Sequence, residues 1–184
     1  MSFEYITDPA GVPAWRGVLP GRPAPYVLRR GEGEHANLFG ELFSVLVSGD
    51  ESAGQFGVIT SDHPAGDVIP AHAHDTTHEV FFVLEGAVRV FVENTDGERS
   101  SQLLRPGDLG SVPAGFAHAY RAEEASRMLG GMSGGFERFF QAMGTPTDTT
   151  DPAQPPFIPD RARMQAAAQA HGTRFMPDLR WPEA

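Results

Sequence analysis

Two histidines separated by one residue, with a glutamate after four more residues and an apolar run behind it, constrain this chain more than any other feature. They lie in Gly66-Asp67-Val68-Ile69-Pro70-Ala71-His72-Ala73-His74-Asp75-Thr76-Thr77-His78-Glu79-Val80-Phe81-Phe82-Val83-Leu84-Glu85-Gly86. In an extended strand the side-chain period is two, so His72 and His74 point to the same face. Asp75-Thr76-Thr77 forms a short polar break, and Val80 to Leu84 reads as a buried strand that starts just after Glu79. Further on, His118 follows a Pro113-Ala114-Gly115 turn. A lone histidine in a strand is more often a packed or surface residue than a ligand. Three imidazoles and one carboxylate converging on a point are different: they would hold one divalent transition metal and leave positions open. His72, His74, Glu79 and His118 are therefore the candidate ligands. Asp75 leaves the His72/His74 face, and His35, His63 and His171 lie far from the pattern, so these four are expected to stay outside the set.

Composition removes competing chemistries. The formal net charge of −10 argues against a nucleic-acid partner and against an anionic membrane surface. All 14 basic residues are arginine, which excludes Schiff-base lysines and a phosphate-loop lysine. With no cysteine there is no disulfide, thiolate nucleophile or sulfur ligand. No apolar run reaches the length of a membrane span and no signal peptide shows, so the expected location is cytoplasmic. At 184 residues the chain is expected to be a single domain, residues 1–184, able to bury a substantial core.

Residues 1–25 read as an irregular arm, because Pro9, Pro13, Pro20, Pro23 and Pro25 forbid a long helix; Trp15 and Tyr26 would pin it to the body. Strands are expected at Tyr26–Arg29, at Leu38–Val47 with a break at Gly40, and at Gln55–Thr60, with His63 in an exposed loop after it. Ala87–Glu93 alternates cleanly and leads into an Asn94-Thr95-Asp96-Gly97 hairpin turn. Gln102–Leu104, Leu109–Val112, Ala117–Arg121 and Arg127–Met132 complete the strands. A helix over Gly135–Met143 would put Phe136, Phe139 and Phe140 on one face, as core packing or as a lid over the barrel mouth. Residues 145–184 read as a connector and a tail helix packed on the barrel, the helix capped by Asp160. Two motif matches are decoys. Gly31-Glu32-Gly33 sets glutamates where a pyrophosphate must approach, and no βαβ unit follows. Gly131-Met132-Ser133-Gly134-Gly135 fits a nucleophile elbow, but the parallel sheet is missing and the one later histidine, His171, falls in the tail helix.

Many short strands separated by turns, with helices only near the end, indicate an all-β antiparallel barrel or jelly roll. The spacings carry a resemblance. Gly66-(five)-His72-x-His74-(four)-Glu79-(six)-Gly86 is similar to the first cupin motif, and Gly107-(five)-Pro113-x-Gly115-(two)-His118 to the second; Ala122 stands where the second motif usually carries Asn. The chain further resembles the single-barrel bacterial quercetin 2,3-dioxygenases. The likeness runs through His35-Ala36-Asn37-Leu38-Phe39-Gly40, Gly86 to Glu93, His118-Ala119-Tyr120-Arg121, Gly135 to Phe140, Gly144-Thr145-Pro146 and Arg174 to Asp178. His78 departs, standing where those enzymes carry Tyr, though strand alternation turns it away from Glu79's face.

The resemblance implies a cupin barrel and a metal-dependent dioxygenase. Such an enzyme takes a small planar aromatic substrate, a flavonol, with O2, cleaves its central heterocycle and releases carbon monoxide. Glu79 would then be the catalytic base for the flavonol 3-hydroxyl as well as a ligand. Phe81 and Val83 share Glu79's face, and Phe116 and Tyr120 share that of His118; these four would line an apolar substrate chamber, although ordinary barrel core accounts for any one of them equally well. The motifs report the metal and not the pocket, so an oxygenase or isomerase acting on a diketone or polyketide, or a non-catalytic metal-dependent binder, shares the same signature. An N3O set without sulfur accepts Mn, Fe, Co, Ni, Cu or Zn. Cupins often dimerise through an N-terminal strand, and the arm here could make a homodimer in that way.

Overall fold

The computed structural model describes residues 18–151 and 154–182, so Trp15 and most of the N-terminal arm lie outside the described residues. Two antiparallel sheets face each other. The first runs β11-β1-β2-β3-β10-β5-β8 and the second β12-β4-β9-β6-β7. In chain order these strands are β1 (Glu34–Leu38), β2 (Glu41–Val47), β3 (Phe56–His63), β4 (Val68–His74), β5 (Glu79–Glu85), β6 (Val88–Glu93), β7 (Arg99–Leu104), β8 (Leu109–Val112), β9 (His118–Ala122) and β10 (Ser126–Ser133). Helix α1 (Glu137–Met143), the two-residue β11 (Thr145–Pro146), α2 (Arg161–Ala170) and β12 (Thr173–Phe175) follow. This is the expected jelly-roll barrel. Among the described residues no helix is long and apolar enough to cross a membrane.

Alternation decides which side chains fill the space between the sheets. In β5 Phe81 and Val83 turn inward while Val80, Leu84 and Glu85 face out. In β6 Val88 and Val90 are buried. These join Val112 and Met128 in one apolar cluster, and Leu38, Phe43, Val45 and Ile59 form a second cluster with Phe136, Phe139 and Met143 of the α1 segment. Each fully buried side chain of this kind contributes roughly 1.5–3 kcal/mol. The chain turn at Gly86 admits only glycine: its φ is +78°, and a Cβ there would stand 2.3 Å from the Ala125 carbonyl oxygen. Helix α1 is tied down by Glu137, which is fully buried and accepts the Gly49 N–H at 2.8 Å and the Gly135 N–H at 2.9 Å. Charge-assisted bonds of this type contribute roughly 1.5–3 kcal/mol each. Asp160 caps α2 as expected, accepting from the Arg163 N–H at 2.8 Å.

Three sequence expectations are corrected. Tyr26–Arg29 forms no strand: Tyr26 and Leu28 pack inward and Val27 is 88% exposed, an alternation that imitates a strand, but the Tyr26 hydroxyl rather than a backbone ladder fixes the segment, donating to the Leu46 carbonyl at 2.6 Å. The first strand starts at Glu34 instead of Leu38, while the break at Gly40 is where it was expected, between two strands. His63, expected in an exposed loop, ends β3 and is 3% exposed. Gly57, Ile59, Ser61 and His63 form the buried face of that strand, so its inward row continues past the apolar residues into polar ones. Strands β11 and β12 are additions within the stretch read as connector and tail.

Candidate functional site

Strands β4 and β9 pair with Ile69 opposite Tyr120, and an irregularity before His72 shifts the register so that His72 stands opposite His118. That shift sets two imidazoles side by side, with ring centroids 4.1 Å apart. His74, two residues along β4, joins them at 4.9 Å from the His72 ring. Backbone bonds stitch the two motif segments together: the Gly115 N–H donates to the His74 carbonyl at 2.7 Å, and the Gly66 N–H to the Ala122 carbonyl at 2.8 Å. Ala122 therefore serves this junction through its backbone. The carboxylate comes from the opposite sheet. Glu79 opens β5, paired with Val112 on one side and Met132 on the other, and its Oε2 lies 3.1 Å from His118 Nε2 and 3.4 Å from His74 Nε2. The four side chains, all buried, bring one donor atom each within 4.8 Å of all the others.

The outward nitrogens of the rings are held by the barrel. His72 Nδ1 is 2.7 Å from the Pro70 carbonyl and His118 Nδ1 3.1 Å from the Phe116 carbonyl. A carbonyl only accepts, so both Nδ1 atoms carry the proton, and in the neutral rings Nε2 faces the cluster as a lone pair. His74 Nδ1 lies 3.1 Å from the Thr173 hydroxyl, contributed by β12. His74 Nε2 is buried with no hydrogen-bond partner. Burial, with the charge of His118 next, pushes the His72 imidazole down to about 3. Burial alone would raise the Glu79 carboxyl, but the facing nitrogens of His118 and then His74, in their protonated forms, outweigh it and hold the group well below the usual carboxylate range. Three imidazole nitrogens that turn lone pairs inward when neutral, with His74 Nε2 orphaned, and a buried carboxylate beside them are a donor set that fits a divalent transition metal.

Beside the cluster opens a cavity of about 860 Å³, within the range of small-molecule sites. His72, His74 and Glu79 stand on its wall, while His118 lies behind them. Phe81 and Tyr120 line it too. Val83 and Phe116 do not: Val83 is fully buried in the apolar cluster beneath, and Phe116 packs against that cluster. Two residues further along a strand is about 6.6 Å, far enough to leave the chamber for the packed core. Phe136, Phe139 and Phe140 pack in the core, as expected, and also wall the cavity, with the Phe136 ring 4.2 Å from the His74 ring. Met164 and Ala168 of α2 and Phe175 of β12 also line it; nothing in their sequence spacing pointed there.

The other titratable candidates lie elsewhere. Asp75 is exposed and pairs with Arg174 at 2.8 Å. His35 Nδ1 is 2.8 Å from the Ser44 hydroxyl. His171 caps α2 and packs edge-on to Phe136 and Phe139. His78 is exposed and its Nδ1 accepts the Ala114 N–H at 3.3 Å, so this departure from the quercetinase pattern faces away from the cavity. Ser133 of the nucleophile-elbow decoy accepts the His78 backbone N–H at 3.0 Å, a structural bond. His63 gathers with Glu41 and Asp67 in a second group.

Comparison with known proteins agrees with this geometry. Residues 50–132 match the cupin family. The chain is 37% identical over 130 residues to a quercetin 2,3-dioxygenase of Bacillus subtilis, an alignment covering 70% of this chain and 37% of that protein. It is 28% identical over 146 residues to the quercetin 2,3-dioxygenase of Aspergillus japonicus, covering 76% of this chain and 41% of that protein. The chain thus spans less than half the length of these curated relatives. Among solved structures, KdgF from Halomonas sp. superposes with a TM-score of 0.51 at 20% identity, over 60% of this chain and 94% of that one, a likeness of fold. Barrel topology, motif spacing and sequence match converge on a cupin barrel, with the cupin domain match over residues 50–132.

Proposed function

We propose that this chain is a metal-dependent dioxygenase that cleaves the heterocycle of a flavonol such as quercetin, with His72, His74, Glu79 and His118 holding one divalent metal. The observation that carries the reading is the buried Glu79 carboxyl, 3.1 Å from His118 Nε2 and 3.4 Å from His74 Nε2, at the junction of the histidine cluster and a largely apolar cavity. Similarity to two quercetin 2,3-dioxygenases supports the choice of substrate class. The metal would supply Lewis acidity to the substrate oxygen and a meeting point for O2. Glu79 would take the proton of the flavonol 3-hydroxyl, converting a phenol-like group into an electron-rich anion. Phe81, Tyr120 and the phenylalanines of the α1 segment would hold the flat ring system and exclude water, which strengthens every charge interaction inside. Both atoms of O2 end in the depside, at the two carbons that flanked C3, and the two bonds to C3 break so that it leaves with its own oxygen as carbon monoxide; no further reductant is required.

The test is carbon monoxide release per bound metal, wild type against Glu79→Gln, across pH. The amide keeps an oxygen ligand but cannot act as the base, so the variant should retain metal and bind flavonol while turning over ~10²–10⁴-fold more slowly. Raising the pH, which ionises the flavonol in solution, should partly restore the rate. A variant that equals wild type at neutral pH would make Glu79 a ligand only. Fully loaded wild-type protein that releases no carbon monoxide from any flavonol would refute the activity.

A further inference from the structure

The cavity has a second polar pole that the dioxygenase reading leaves unused. Glu41 of β2, Ser61 of β3 and Asp67 stand on its wall, around the buried ring of His63. His63 Nε2 is 2.8 Å from the Ser61 hydroxyl. Its Nδ1 lies 3.2 Å from Asp67 Oδ2 and 2.9 Å from Glu41 Oε2. One Nδ1 carries at most one proton, and its hydrogen-bond geometry serves Asp67. Glu41, 1% exposed, is left with Oε2 in no hydrogen bond among the described residues. With both carboxylates ionised, two acceptors face one donor at a buried position, where an unmatched acceptor is costly. Burial accordingly pushes the Glu41 carboxyl up to about 7.

Aromatic rings bridge the two poles. Ring centroids step from His118 to Phe81 at 6.1 Å, from Phe81 to Tyr120 at 6.0 Å and from Tyr120 to His63 at 5.5 Å. A flat ligand lying along Phe81 and Tyr120 with one end at the histidine cluster would present its other end to Glu41. What that end must bring is a hydrogen-bond donor.

We propose that Glu41, with Ser61 and Asp67, forms a hydroxyl-recognition subsite that accepts a hydrogen bond from a phenolic hydroxyl on the end of the substrate away from the metal. This rests on the flavonol reading and deepens it: the preferred substrates are polyhydroxylated, and Glu41 sets that preference. A pocket built to pair a hydroxyl rejects the analogue without it, because its own acceptor is then stranded.

The experiment compares binding of quercetin with that of 3-hydroxyflavone, which keeps the metal-facing hydroxyl and lacks the others. Both are titrated against metal-loaded protein without oxygen, by fluorescence or calorimetry. Wild type should bind quercetin tighter by about 10- to 100-fold, the span of a hydrogen bond to a charged group. In Glu41→Leu the ratio of the two dissociation constants should collapse toward one, and in the milder Glu41→Gln it should fall in between. A wild-type ratio near one, which needs no variant to fold, overturns the subsite while leaving the flavonol reading standing. So does a folded Glu41→Leu, or a Glu41→Gln, that keeps the full wild-type ratio. Wild-type protein that binds neither compound overturns the flavonol reading, and the subsite with it.

Discussion

Thr173 offers a sharp test of how the proposed metal centre is organised. Its hydroxyl is buried and sits 3.1 Å from His74 Nδ1, a contact to an outward ring nitrogen supplied by a side chain where His72 and His118 use carbonyls. If the His74 Nδ1–H donates to it, Thr173 fixes the tautomer that turns Nε2 inward, as the Pro70 and Phe116 carbonyls do for His72 and His118. Thr173→Val keeps the branched shape and the strand propensity and removes only the acceptor. The backbone pairing of Thr173 with His74 is untouched by the change. Losing such a partner typically costs 10- to 100-fold in metal affinity, or about 1.4–2.7 kcal/mol. A stranded Nδ1–H in a buried site independently gives about 1–3 kcal/mol, so the two estimates agree. The assay is competition for metal between the protein and a chelator of known affinity, with thermal melting of the metal-free proteins as the check on folding. Thr173→Ser, which restores a hydroxyl, should recover most of the loss. If Thr173→Val folds and binds metal as tightly as wild type, Thr173 does not orient His74 and the β12 contact is packing alone.

Stability should fall as pH rises through the Glu41–His63 group. His63 is raised from 6.5 to about 9, with burial opposing and the charge of Glu41 the leading cause, and Glu41 from 4.5 to about 7 by burial. Both then bind more protons folded than unfolded, so stability present at low pH is lost between about 4.5 and 7 for Glu41 and between about 6.5 and 9 for His63. Asp67, held low against the pull of burial by hydrogen bonding to His63, acts oppositely and only at acid pH. Urea midpoints from about pH 5 to about pH 10 should decline more steeply for wild type than for Glu41→Gln/His63→Gln; parallel curves would refute the linkage. Gly86→Ala must accept a φ of +78° and a Cβ 2.3 Å from the Ala125 oxygen, for an expected loss of roughly 2–5 kcal/mol. A melting temperature within ~2 °C of wild type would show that the turn relaxes freely.

The histidine cluster is legible in the sequence because its logic is local. His72 and His74 share a face by strand periodicity, and Glu79 starts the next strand after a turn too short to displace it far. His118 needs only one long-range fact, the pairing of β4 with β9, and the glycines and proline of the second motif signal it. The second polar pole has no such signature. Leu42 pairs with Asp62 and Phe43 with Ser61, so Glu41 comes opposite His63 through a register that no residue between them announces. Serine and histidine at the inner positions of β3 look like a polar loop when read without their partners. Val83 shows the complementary limit. Periodicity places it correctly on the inward face with Phe81, but depth along a strand decides between chamber and core, and depth depends on where the opposite sheet ends.

The C-terminal segment explains why the two barrel motifs alone do not describe the site. Within the few residues from His171 to Phe175 the chain closes α2, packs His171 against Phe136 and Phe139, hands the Thr173 hydroxyl to His74 and lays Phe175 on the cavity wall. The Phe175 ring is also 6.5 Å from that of His72. The strand that holds these contacts is three residues long and draws its order from pairing with β4, the strand that carries both histidines. Orientation of a candidate ligand and the shape of the chamber thus depend on one short ladder. A substitution that loosens β12 should disturb metal affinity and ligand fit together, whereas one in the Glu41 pole should change ligand preference and leave the donor set in place.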